Sequence, residues 1–227
     1  MTGVQTCALP IWLEVVTVAL DLKGVETAGR WIEAANPTHP SLIDRAHLVD
    51  ELFGVVNVPN GVWIDEQGMI VRPAEPAHPG RPRVASGPIP TDLDPYLAEV
   101  LREARRIRVE PERYAAALRD WVEQGADSRY ALTEGEVLAR SGERGEDRSL
   151  AAAHFELAQH LWLAGNQDAA VPHFRAARRL QPDNWTYKRQ AWVLANRYQA
   201  PTDLFEGDWL SDVRLIGAEN YYPPLDL

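Results

Sequence analysis

Between positions 13 and 71 the chain changes its hydrophobic period several times. Leu13–Asp21 (LEVVTVALD) is rich in β-branched residues, barely alternates and ends in an acid. A run apolar at successive positions faces apolar surroundings on both sides, so it predicts a buried strand of a parallel sheet. Gly24–Asn36 switches to helical spacing, with Val25, Ala28, Ile32 and Ala35 on one face, and Pro37 ends it. Pro40–Asp44 reads as a short extended stretch. Asp44 can cap a helix reaching Phe53, whose apolar side is Leu48, Val49, Leu52 and Phe53. Val55–Pro59 is extended again. Val62–Asp65 and Met69–Val71 then flank Glu66-Gln-Gly68, a hairpin turn signal. Strand, helix, helix, strand and hairpin in that order is an α/β pattern.

Residues 72–95 lose any strong period and hold seven of the seventeen prolines, which marks a linker or an extended crossing segment. Helical spacing returns afterwards. Asp94-Pro95 is an N-cap followed by proline at the first helical position. Tyr96–Ile107 places Leu97, Leu101 and Ala104 on one face, and Pro111–Glu123 places Tyr114, Leu118, Trp121 and Val122. Arg129–Arg140 is a third, weaker helix, and the polar run Ser141–Arg148 separates it from the helical stretch beyond. The predicted organisation is 1–12 as a foreign stretch, 13–73 as the α/β part, 74–95 as a linker and 96–227 as a helical region.

Met1–Ile11 reads as the first-frame translation of a common sequencing adapter whose GTG codon starts as Met. The adapter's last base supplies the T of the Trp12 codon, so native sequence is expected from Leu13. Such scars are set aside before fold reasoning. Cys7, the only cysteine, falls inside this stretch. The native part therefore carries no disulfide framework and no cysteine metal site. The composition, 45% hydrophobic and 25% charged, suits a soluble globular chain. A formal charge of −10 and a pI of 5.1 argue against nucleic acid and against a polybasic membrane anchor. No apolar run approaches the ~18 residues of a spanning helix. The basic residues are nearly all arginine, with Lys23 and Lys188 the exceptions, which reads as a GC-rich bacterial genome. With the native start expected to be missing, cytoplasmic and extracytoplasmic locations both stay open.

Ala151–Asn184 resembles one tetratricopeptide repeat, a 34-residue helix–turn–helix unit. With Pro182 aligned on the repeat's late proline, Leu157 and Leu161 fall on first-helix core positions and Ala158 on the small contact position. Gly165 falls in the turn, and Ala170, Phe174 and Ala177 on second-helix packing positions. His154 stands where the motif has Trp. The resemblance implies a helical fold and no particular ligand. Trp185–Tyr198 could begin another unit or cap this one. Its residues Trp185, Tyr187, Lys188, Arg189 and Trp192 read either as core aromatics with a solvated Lys-Arg edge or as a surface for a protein partner.

Three segments of 13–73 carry a second likeness. Leu13–Asp21 looks like a strand that comes after an active-site helix, Phe53–Pro59 (FGVVNVP) like the approach to a cis-proline, and Gly61–Pro73 (GVWIDEQGMIVRP) like a terminal hairpin. In their order and spacing they resemble thioredoxin-like redoxins: thiol–disulfide oxidoreductases of the TlpA kind and the alkyl hydroperoxide reductase and thiol-specific antioxidant group. The resemblance implies that Pro59 is the cis-proline and that Val58 and Pro59 contact an extended substrate, a protein thiol or disulfide or a redox donor. From the residues alone, an ordinary trans proline opening a strand stays open. The family's thiolate sits at the N-terminus of a first helix, where the helix dipole lowers its pKa. That strand and helix would precede Leu13, and Cys7, eight residues before Val15 with Pro10 between, leaves no room for them. The expected fold class is therefore α/β plus all-α, an incomplete thioredoxin-like sheet followed by a helical region.

Other chemistry is sparse. Glu156 and His160 share a helix face, but no further ligand completes a metal set. Neither a glycine-rich phosphate loop nor a Gly-x-Ser-x-Gly elbow occurs. No catalytic residue, metal or cofactor is assigned to the chain. The expected function is that of a redoxin fragment, inactive as written. The other reading is a non-enzymatic scaffold with a repeat-like interaction module.

Overall fold

Strand β1 (Thr17–Leu20) and strand β2 (Ser41–Asp44) form a parallel ladder joined by helix α1 (Val25–Ala35), with Thr17 opposite Ser41 and Leu20 opposite Asp44. The computed structural model describes residues 13–78, 80 and 87–227. The adapter-like stretch with Cys7 lies outside the described residues, as do Pro79 and residues 81–86 of the expected linker. Helix α2 (Leu48–Phe53) leads to a second ladder, the antiparallel hairpin of β3 (Asn60–Ile64) and β4 (Ile70–Pro76). Asp65 builds the turn: its carboxylate accepts from the amides of Gln67 and Met69, and Gly68 takes the positive φ of 79° that the turn needs. Among the described residues the two ladders remain separate two-stranded sheets.

β4 runs past the expected boundary at Pro73. Pro73 and Ala74 together face the single residue Val62, because the register shifts between Gly61 and Trp63. A bulge is one of the few places in a ladder where a residue without an N–H is tolerated.

Among the described residues the chain divides into two units. The first takes residues up to Pro82, Val109–Glu143 and Pro224–Leu227; the second takes Arg83–Arg108 and Arg144–Pro223. The division differs from the one drawn at residue 96. Helix α4 (Pro111–Gln124) and helix α5 (Glu134–Ser141) join the hairpin, and Trp63, Tyr114, Ala117 and Leu225 form the core there.

The parallel ladder is thinly covered. All four β1 residues are only partly buried, against the expectation of a buried strand. The expected core faces of α1 and α2 are only partly covered: Ala28 is buried, but Val25 is 72% and Leu52 78% exposed, and Leu48 is exposed too, as is Trp31 off the expected face. Each of β1 and β2 has a ladder partner on one edge among the described residues, and little apolar surface lies against the helices.

The second unit is helical: α3 (Pro95–Ala104), α6 (Glu146–Leu163), α7 (Gln167–Leu180), α8 (Trp185–Ala195) and α9 (Trp209–Ile216). Asp94 caps α3 as expected, accepting from the amides of Tyr96 and Leu97. The α6–α7 pair closes through Gly165 at φ 80°, and Ala158, Ala170 and Ala177 are fully buried where the helices meet. Small residues there let two helices approach closely. Leu157 is exposed, contrary to expectation; Phe155, on the face of Ala151 and Ala158, fills the space instead. Phe155 stacks on Tyr187 at 4.0 Å and meets Phe174 edge-on at 5.7 Å. None of the described helices is long and apolar enough to cross a membrane.

Candidate functional site

The turn from β2 into β3 is built by short side chains that hold its backbone. Asp44 accepts from the amides of Ala46 (3.0 Å) and Val49 (2.7 Å), so it satisfies a first-turn amide of α2 although His47, not Asp44, holds the N-cap position. His47 stands directly before the helix in a left-handed conformation (φ 57°). Its Nδ1 lies 3.0 Å from Asp50 Oδ2, and both side chains are buried. The Asp50 carbonyl accepts from the Val55 amide at 2.7 Å, after Gly54 has reversed the chain at φ 71°. Asn57 is buried and its Oδ1 accepts from the Val58 amide at 2.9 Å. The Val58–Pro59 bond is cis. The Pro59 carbonyl accepts from the Ala77 amide at 3.3 Å, which ties the turn to the end of β4. Next to Ala77, burial lowers the pKa of His78 below the ordinary imidazole value.

Val58 is half-buried and Pro59 exposed, so this corner faces solvent. An extended segment pairing with Val58 would compete with the Asn57 side chain for its amide. Among the described residues no group of three or more His, Cys, Asp or Glu side chains could hold a metal ion.

The aromatic segment of α8 is interior. Trp185, Tyr187, Lys188 and Trp192 are all buried, and only Arg189 is partly exposed, so these residues do not form an open surface. Lys188 does not lie on the expected solvated edge. Its ammonium instead sits 3.5 Å from the centre of the Trp185 ring and 3.1 Å from Asp212 Oδ2 on α9. Arg178 of α7 reaches both oxygens of the same carboxylate at 3.0 Å and lies over Trp192 at 5.3 Å. Burial lowers the Lys188 pKa, and the Asp212 carboxylate works against that shift. The segment after α8 is gripped as well. Arg175 donates to the Leu204 carbonyl, and Arg178 and Trp192 donate to that of Glu206.

Neither a family model, nor a curated protein, nor a solved structure matches this chain.

A further cluster, on the hairpin and α4, is one that sequence reasoning missed. Trp63 of β3 donates its indole N–H to the Tyr114 hydroxyl at 3.0 Å and stacks on Trp121 at 5.0 Å. A side chain at Gly61 would bring a Cβ to 2.7 Å from that hydroxyl, so the approach of α4 requires glycine there. Burial raises the Tyr114 pKa. Arg72, 1% exposed, faces the Trp63 ring at 5.3 Å and pairs with both oxygens of Glu75 at 2.8 and 3.0 Å. The sequence signal is faint: Trp63 and Arg72 sit inside a hairpin, and only pairing across the ladder sets them side by side.

Proposed function

We propose that the first unit is part of a thioredoxin-like redoxin whose catalytic cysteine segment belongs upstream of Leu13. The parent protein would exchange thiols and disulfides or reduce peroxides, and the chain as written would be inactive. The observation that carries this reading is the order of elements: a parallel β–α–β unit, a short helix, then a proline-led turn into an antiparallel hairpin. The cis geometry at Pro59 agrees with it. The two separate ladders and the open apolar positions Val25, Trp31, Leu48 and Leu52 fit a sheet that lacks a central strand and its helix. Val58 and Pro59 would then contact an extended thiol or disulfide substrate beside that cysteine.

A second reading is a non-enzymatic scaffold, in which the α6–α8 helices serve as a repeat-like interaction module. The close packing of α6 on α7 through Ala158, Ala170 and Ala177 favours it.

Sequencing the uninterrupted gene through the Ile11–Leu13 junction separates the two. A Cys-x-x-Cys or a single Cys at a strand–helix junction upstream of Leu13 is expected, and the purified chain should reduce no disulfide substrate. A full-length gene without such a cysteine, or turnover by residues 13–227 alone, would overturn the redoxin reading.

A further inference from the structure

Pro224–Leu227 forms neither helix nor strand, yet side chains hold the Leu225 amide and the main-chain oxygens of Leu225, Asp226 and Leu227. Glu110 Oε2 accepts from the Leu225 amide at 3.4 Å. Arg113 donates to the carbonyl of Leu225 at 2.9 Å and to the main-chain oxygen of Leu227 at 2.8 Å. Arg72 (2.6 Å) and Arg140 (2.8 Å) both donate to the carbonyl of Asp226. Arg140 also pairs with the Asp226 carboxylate at 3.2 Å. The side chains alternate as in an extended peptide: Leu225 buried, Asp226 exposed, Leu227 partly buried. Leu225 is 8% exposed and packs with Trp63, Tyr114 and Ala117.

Three arginines from β4, α4 and α5 thus converge on consecutive main-chain oxygens, while an apolar pocket selects the leucine. Main-chain contacts supply affinity and side-chain pockets supply specificity in extended-peptide recognition. The seat is also anchored apart from its occupant. Arg72 is fixed by Glu75 and by a bond to the Tyr130 carbonyl at 3.0 Å, and Trp63 by Tyr114 and Trp121. A site held in its binding geometry beforehand loses less entropy when a ligand enters.

We propose that Glu110, Arg113, Arg72, Arg140 and the Trp63–Tyr114 pocket form a peptide-docking seat. Its ligand class is an extended Leu-acidic-Leu segment of a partner protein. Pro224–Leu227 is the resident occupant that such a segment displaces. This inference does not depend on the redoxin reading.

The test uses a fluorescein-labelled peptide of residues 221–227 and a chain ending at Pro223, read by anisotropy. Saturable binding is expected, at least about tenfold tighter than to the full chain, where the resident segment competes at a high effective concentration. Leu225→Asp in the peptide should abolish binding. Equal binding to both chains, or no binding to a shortened chain that keeps its circular dichroism and melting temperature, would overturn the proposal. Should the shortened chain lose its fold, the full chain decides. Carboxypeptidase should release Leu227 and Asp226 from the parent at least about tenfold more slowly than from R113A/R140A, since a seated segment must open before it is cut. Equal release rates would count against the seat.

Discussion

Asp212 meets two cations at once, and that asymmetry decides what its removal does. Arg178 holds both of its oxygens and Lys188 holds one of them, all within the second unit. Removing Lys188 leaves the carboxylate paired. Removing the carboxylate leaves a buried ammonium and a guanidinium facing each other, with the Trp185 and Trp192 rings and, for Arg178, the Glu206 carbonyl as weaker partners. Breaking a buried ion pair from one side typically costs about 3–5 kcal/mol, whereas exchanging buried charge for apolar volume is often close to neutral. Asp212→Asn is therefore expected to lower stability by about 3 kcal/mol or more, and Lys188→Met to change it by under about 1 kcal/mol. Chemical denaturation midpoints check both. Comparable losses in the two variants would mean that the ammonium, rather than the shared carboxylate, organises the cluster.

At the scale of elements, caps and turns behave as short-range chemistry dictates. Asp94, Gly165 and the Asp65 turn all occur where the sequence places them, because each rests on bonds to residues a few positions away. Helix α9 shows a cap with a longer reach. Asp208 accepts from the amides of Leu210 and Ser211, and also from the hydroxyl of Tyr96 in the first turn of α3 at 3.0 Å. Losing an ordinary N-cap costs about 1 kcal/mol, and the part-buried Tyr96 hydroxyl loses one of its two acceptors, keeping the Gln199 carbonyl at 3.0 Å, which adds about 0.5–1.5 kcal/mol. Asp208→Ala should thus destabilise the protein at least about one and a half times as much as Asp94→Ala, whose carboxylate serves only its own helix. Thermal melts of the two variants, recorded side by side, measure the ratio; equal losses would show that the Tyr96 contact adds nothing.

Across the whole molecule burial is uneven. The α6–α8 helices enclose Ala151, Phe155, Phe174, Ala177 and Trp192, while the β1–β2 ladder is half-covered on every residue of β1. Backbone opening is easiest where few apolar contacts lie over the hydrogen bonds. The amides of Val18–Leu20 should therefore exchange with deuterium at least about tenfold faster than those of Phe174–Ala177. Peptide-resolved exchange mass spectrometry reads this directly, and equal protection would mean that the ladder is better covered than its exposure indicates.

Most secondary elements are legible in the sequence. The hairpin, α1, α2, α3, α4 and the α6–α7 pair emerge from period, caps and turn residues, all of which act over a few positions. Helix α9 is not among the expected elements, although Asp208 and Ser211 form a capping pair at its start. Burial is less legible. The faces of α1 and α2 have the right period for a core, but a period states which side is apolar, not whether anything lies against it. Lys188 and the aromatics of α8 show the converse: a polar-looking segment is interior because Asp212, twenty-four residues later, supplies the countercharge. The same holds for Arg72, whose partners Tyr130 and Asp226 lie 58 and 154 residues away. Local spacing therefore determined most of the elements and the caps and turns between them. Only the tertiary structure decided where the chain divides, which charges are buried and what seats Pro224–Leu227, because each depends on groups that sequence distance does not bring together.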